Sequence, residues 1–177
     1  YFIVISSISN PEAVAGGKVV FFPVGINFKG YIEVFKNSEV LRGFFNSVLY
    51  AVIGTVLNLV VTLPTAYAIS RNSFGGKKFV TFFFFFSMFV SGGMIPTYLV
   101  VKNMHMLDTM WSLILPNAVG VYNLIVCRTF FKSNISEELY DAAAIDGCSQ
   151  ARFFFSIALP LSGAIIAIMV LYYGVGH

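Results

Sequence analysis

Apolar residues run along this chain in long blocks, and the polar positions between them are confined to short connections. Four windows carry no Asp, Glu, Lys or Arg: 43–70, 79–101, 109–127 and 153–177. Each is close to or above the roughly 20 apolar residues that a helix needs to cross a bilayer core. The pattern therefore predicts transmembrane helices at about 44–70, 79–101, 109–131 and 153–177. A shorter charge-free stretch, Tyr1 to Pro11, predicts the end of another span at about 1–8. It has neither the basic start nor the cleavage site of a signal peptide. Both ends of the sequence read as cut, so the spans at 1–8 and 153–177 are expected to be partial.

Breakers inside the windows predict irregular backbone that neighbouring helices must satisfy. Pro64 and Pro116 are expected to kink their helices, and the run from Ser91 to Pro96 to interrupt the second window. Pro11, Gly16, Gly17 and Pro23 predict a loop between the first two hydrophobic segments, followed by a short interfacial helix from about Phe28 to Phe35. The five consecutive phenylalanines from Phe82 to Phe86 cover every face of a helix, which lipid contact and bundle packing explain.

Charge then sets an orientation, because short loops that retain Lys and Arg stay on the cytoplasmic side. The connection 71–78 holds Arg71, Lys77 and Lys78 with no acid, whereas 102–108 holds only Lys102 and Asp108. The first is therefore expected in the cytoplasm, together with 128–152 two crossings later. The stretch 10–42, with four bases against Glu12, Glu33 and Glu39, falls outside.

Composition narrows the function. With 58% hydrophobic and 11% charged residues, the chain lies outside the range of soluble domains. The net charge of +3 comes with no basic block interleaved with aromatics, which argues against nucleic acid as a partner. Cys127 and Cys148 form no disulfide framework and match no metal spacing. His105 stands alone, and no nucleophile, base and orienting group occur together, so no catalytic or metal site is expected. Gly75-Gly76-Lys77-Lys78 lacks the earlier Gly and the following Ser or Thr of a phosphate loop.

The stretch from Ser136 to Gln150 carries the most information. Ser136 or Asn134 caps the start of a short helix, Glu137 and Glu138 complement the positive end of its dipole, and Gly147 supplies a left-handed stop. Leu139, Ala142, Ala143 and Asp146 share one face by their spacing. A helix this short is marginal alone, and its small side chains fit it to a cleft on a partner. Ser149 is expected to cap a further helix leading into the last span.

These residues resemble the coupling loop of ABC importer permeases, in which a Glu-Ala-Ala triplet, a later Gly and a Leu-Pro pair mark the helix that docks on the ATPase. Asp141-Ala142-Ala143 takes the triplet's place, Gly147 the glycine's and Leu159-Pro160 the pair's. Asn46-Ser47, the run from Thr65 to Arg71, and Ile95-Pro96-Thr97-Tyr98 are also similar to the carbohydrate-uptake branch. The likeness covers about 45–161. Asp141 is one methylene shorter than the usual Glu, Ser136 stands where Pro is common, and the family's usual six spans compare with four and part of a fifth.

The resemblance implies an all-α polytopic transmembrane bundle of the type I ABC importer permease kind, a single domain over 1–177 in a bacterial inner membrane. It implies a sugar-transport subunit that is not an enzyme and carries no cofactor, with ATP and Mg held by a partner ATPase dimer. A sister permease and an extracytoplasmic binding protein are the other implied partners, with lipid around the spans. The coupling residues would be Glu137, Glu138, Asp141, Ala142, Ala143, Asp146 and Gly147, the acids meeting bases on the ATPase. Asn58, Tyr98, Asn117, Tyr122 and Asn123 are candidates for the substrate pathway. Interhelical hydrogen bonding explains the Asn residues and Tyr122 as well, and interfacial anchoring explains Tyr98 and Trp111. An importer of a non-sugar solute and an ATP-independent carrier or channel are the alternatives. A membrane-embedded enzyme would need clustered ionisable groups within the spans.

Overall fold

In a computed structural model that describes residues 1–90 and 92–177, the chain is helical, with no strand among the described residues. It divides into two compact units, 1–49 and 50–177.

The first unit begins with α1 (Phe2–Ser7) and α2 (Pro11–Ala15). Asn10 caps α2 by accepting from the Glu12 amide, and Pro11 occupies the first helical position, where its missing N–H costs nothing. The loop 16–28 returns to α1 through Asn10 N–H to Val24 O (3.0 Å) and Asn27 N–H to Ile8 O (2.8 Å). The helix expected at Phe28 to Phe35 is α3 (Lys29–Lys36). α4 (Ser38–Ser70) follows. It starts where Asn37 Oδ1 accepts from the Glu39 amide at 3.0 Å.

The second unit takes up the rest of α4, then α5 (Lys77–Phe89), α6 (Met94–Asn103) and α7 (Trp111–Ile114), which tightens into a 3-10 turn at Leu115–Asn117. α8 (Val121–Asn134) and α9 (Glu137–Ile145) lead to α10 (Gln150–Phe153). A π-helical turn, Phe154–Ala158, joins α10 to α11 (Leu159–Leu161), and α12 (Gly163–Gly176) ends the chain.

The charge-free windows are therefore less continuous than their composition implies. Among the described residues α4 alone is long and apolar enough to cross a membrane, running uninterrupted through Pro64. The other three windows become bent pairs. α7 with its 3-10 turn meets α8 at 50°, the α10–α11 arm meets α12 at 81°, and the axes of α5 and α6 lie 120° apart. Counting each pair as one crossing gives up to four. Residues 118–120 separate the 3-10 turn that holds Pro116 from α8, Ser162 separates α11 from α12, and Gly93 caps α6 with φ +81°. Pro96 lies within the first turn of α6 and not in the break. Ser91, expected to contribute to that interruption, lies outside the described residues.

The core of this unit gathers Leu63, Ala66, Tyr67 and Ile69 of α4 against Leu124, Cys127 and Phe131 of α8. Phe153 and Phe154 close it at one end and Met169 and Tyr173 of α12 at the other. Only 17% of the most apolar window of α4 is buried. An apolar helix so largely uncovered needs lipid or another subunit around it.

Candidate functional site

α9 is built as its residues dictate. Ser136 Oγ accepts from the Leu139 amide at 3.3 Å, and Glu137 and Glu138 occupy the first turn. At the far end Gly147 adopts φ +75°. Gly147 N–H donates to Ala144 O (3.0 Å) and Cys148 N–H to Ala143 O (2.9 Å), the two bonds of a Schellman stop. Ser149 then caps α10, accepting from the Arg152 amide at 3.3 Å. Of the alternative cap, Asn134 closes α8 instead, donating to Phe130 O.

The helix has two faces, and of the four residues grouped by spacing for a partner cleft only Ala143 turns inward. Tyr140 and Ala143 are partly buried against the core, whereas Leu139, Ala142 and Asp146 are exposed with Glu138 and Asp141. Ile145 is 88% exposed. Small side chains alone would seat the helix poorly, and Tyr140 supplies the missing area. Its ring meets that of Phe153 edge-on at 5.3 Å.

Beneath that ring lies a group that the hydrophobic pattern did not single out. Arg71, directly after α4, is only 9% exposed. Its guanidinium carbon lies 4.7 Å from the ring centre of Tyr140, 5.7 Å from that of Tyr67 and 5.9 Å from that of Phe153. The faces of such rings attract a cation. Tyr67 is itself packed on Phe131, Phe153 and Phe154 at 5.0–6.4 Å. A cleft of about 270 Å³ opens beside them, lined by Arg71, Ser73, Tyr140 and Gln150 among others. The signal in the sequence was the four-residue spacing of Tyr67 and Arg71 at the end of α4; counting Arg71 as a loop base and as part of a family-like run overlooked it.

Glu137 is engaged within the chain. Its Oε1 accepts from the Asn72 amide at 3.0 Å, and Lys77 Nζ donates to the Asn72 side chain. The hydrogen bonds from Asn72, aided by the nearby Arg71 and Lys77 charges, hold its carboxyl below the ordinary value of 4.5. A carboxylate with a depressed value adds stability that is complete above its unfolded value and is lost as pH falls through the folded one. The tie between 72 and 137 is therefore expected intact at neutral pH and broken in acid below 4.5. The chemical shift of a selectively labelled Asn72 amide, followed through an acid titration with Glu137→Gln as control, checks this.

The proposed pathway residues separate. Asn58 is 1% exposed. Its amide nitrogen faces the carbonyls of Gly54 (3.0 Å) and Ala118 (3.1 Å), and its oxygen accepts from His177 Nε2–H at 3.0 Å. The opposite amide orientation would set oxygen against two acceptors. One turn further, Thr62 Oγ1 pairs with Tyr173 Oη at 2.8 Å, which also accepts from the Gly120 amide at 3.3 Å. Asn58 thus belongs to a polar seam joining α4, the 118–120 break and α12. Asn123 is partly buried beside Gly120. Asn117, Tyr122 and Tyr98 are exposed, Tyr98 on α6. The structure does not gather these five residues into one pocket. Among the described residues no three His, Cys, Asp or Glu side chains cluster to hold a metal.

No family model matches the chain. Comparison with individual proteins is more informative. Protein LplC of Bacillus subtilis is 39% identical over 175 residues, 99% of this chain and 59% of that protein. The polygalacturonan/rhamnogalacturonan transport system permease protein YtcP of the same organism is 38% identical over 175 residues, again 99% of this chain and 61% of that protein. In structure the chain is similar to a bacterial ABC transporter involved in the import of the acidic polysaccharide alginate. That match has a TM-score of 0.92 and 30% identity, and covers 98% of this chain and 62% of the other. The chain spans about three fifths of the length of the curated relatives it matches. At this identity the likeness carries the bundle as well as the sequence: an all-α, polytopic membrane fold of the ABC importer permease kind.

Proposed function

We propose that this chain, similar by sequence and by fold to ABC transporter permeases, serves as a permease subunit of an ATP-driven sugar importer. It provides part of the translocation pathway for an oligosaccharide, and couples to a separate ATPase through α9. Polygalacturonan and alginate, the substrates named for two relatives, are both acidic, so oligosaccharides carrying carboxylates are the first to test. The ATPase, acting as a dimer with its own ATP and Mg, a sister permease and an extracytoplasmic binding protein complete the assembly in the bacterial inner membrane.

The observation that carries this reading is the geometry of α9: a helix capped at both ends, seated on its own chain through Tyr140 and Ala143, with a second face left uncovered. That outer face combines Leu139, Ala142 and Ile145 with the acids Glu138, Asp141 and Asp146. With apolar and acidic side chains interspersed, it suits a partner cleft that offers both apolar contact and basic groups. Glu137, spent on Asn72, serves the inner side.

Two measurements test the proposal. With the full-length chain assembled with its partners in proteoliposomes, sugar uptake is expected to require ATP; uptake without any ATPase subunit would refute it. The second uses Gly147, whose left-handed backbone only Gly, and less readily Asn, adopts. An added Cβ there meets nothing within 4 Å, so the cost is conformational, about 1–2 kcal/mol for a β-branched residue. Gly147→Val is expected to unwind the end of α9 and to lower ATPase co-purification, while Gly147→Asn retains most of it.

A further inference from the structure

The two residues that follow α4 are both attached to α9. Arg71 is stacked on Tyr140, and the Asn72 amide is bonded to Glu137, so the end of α4 is held at the first turn of α9 and again at its inward-facing ring. Asn72 is tied in turn to Lys77 at the start of α5. On the other side, Arg128 Nε of α8 donates to Ile69 O at 3.3 Å, binding α8 to the last turn of α4. Further along, α4 is locked to α12 through Thr62 and Tyr173, and through Asn58 and His177.

We propose that Arg71 is a positioning residue for coupling, a latch that makes the end of α4 follow α9 when the ATPase displaces it. The inference rests on the function proposed above and names a part of its transmission. A buried guanidinium needs compensation, and here it comes from three rings drawn from three elements, Tyr67 of α4, Tyr140 of α9 and Phe153 of α10, together with the nearby carboxylate of Glu137 on α9. Pulling α9 away would strip the cation of its Tyr140 face and expose it beside the cleft at Ser73 and Gln150. The lower-energy response is for α4 to move with α9. Packed elements with two arrangements carry displacement in this way, and the rings around Arg71 form the contact through which α9 and α4 would act as one body.

The test is made on the complete transporter in proteoliposomes, with ATP hydrolysis and sugar uptake measured together. Arg71→Met keeps the length of the stem and removes the charge; Tyr140→Leu removes the ring face, and Tyr140→Phe keeps it. Arg71→Met and Tyr140→Leu are expected to retain the ATPase and hydrolyse ATP while sugar moved per ATP falls about tenfold, within the usual range of coupling between sites. Tyr140→Phe is expected to match wild type, and the double variant Arg71→Met with Tyr140→Leu to be no worse than either single, as for residues that act through one contact. A merely structural cluster would lower the amount of complex without changing sugar moved per ATP. Unchanged sugar per ATP in both single variants, losses that multiply in the double variant, or failure of both single variants to assemble would each overturn the latch. ATP-independent uptake by the wild-type complex would instead remove the importer reading, and the latch with it.

Discussion

Phe153→Ala is expected to destabilise the second unit by about 3–5 kcal/mol, the range for deleting a buried aromatic side chain. Phe153 is fully buried, at 0% exposure, and is the ring on which three groups converge: Tyr140 edge-on, Tyr67 stacked at 6.4 Å and the Arg71 guanidinium over its face. Removal leaves a cavity where α4, α9 and α10 meet, and it withdraws part of the compensation of a buried charge. Truncating Phe155, next but one along the chain and 65% exposed, removes a ring of equal size with little packing on this side. Thermal unfolding of the purified protein in detergent should therefore separate the two variants clearly, with Phe155→Ala close to wild type. Equal melting temperatures would mean that Phe153 is not the floor of the α9 seat.

A comparable loss is expected for Asn58→Asp, although that substitution exchanges one amide nitrogen for oxygen and changes the volume hardly at all. Asn58 lies within the charge-free window of α4, and its amide nitrogen answers two carbonyl oxygens. A carboxylate there would face the Gly54 and Ala118 oxygens with no donor between, and its charge would sit well inside an apolar helix. An Asp at the centre of such a helix costs about 3 kcal/mol on insertion scales, and the group escapes that cost only by taking up a proton. Asn58→Asp is expected to lower the yield of folded protein at neutral pH and to recover part of it in mild acid. Asn58→Gln, which keeps donor and acceptor, should lose less. An Asn58→Asp variant as stable as wild type at neutral pH would show that the seam is open to water.

The long runs of apolar residues fix the class of this protein, because a bilayer accepts only a backbone whose polar groups are satisfied, in helices or closed barrels, and continuous apolar blocks of this length suit helices. Of the charge-free blocks, 43–70 forms one uninterrupted helix, α4, while the other three are broken. The caps of α9 and α10 were legible for an equally local reason: Ser136 and Gly147 on the first and Ser149 on the second act on amides and carbonyls within a few residues of themselves. The family resemblance rested on these same local residues and on Leu159-Pro160, and the relatives bear it out.

What the sequence left open depends on residues far apart in the chain. The bends of 50° and 81° fall at 118–120, just after Pro116, and at Ser162, which was not read as a breaker; how far a break turns the chain is set by what the two arms pack against. Asn58 read better as a packing residue than as a pathway residue, but the partners that satisfy it, Ala118 and His177, were not visible. Arg71 counted as one loop base among several until Tyr140 and Phe153, about 70 and 80 residues downstream by number, closed over it. Hydrophobic blocks and caps are properties of neighbouring positions, which a single strand of text preserves. A buried cation, a satisfied amide and the inward face of a short helix are properties of the contacts around them, and those exist only once the chain has folded.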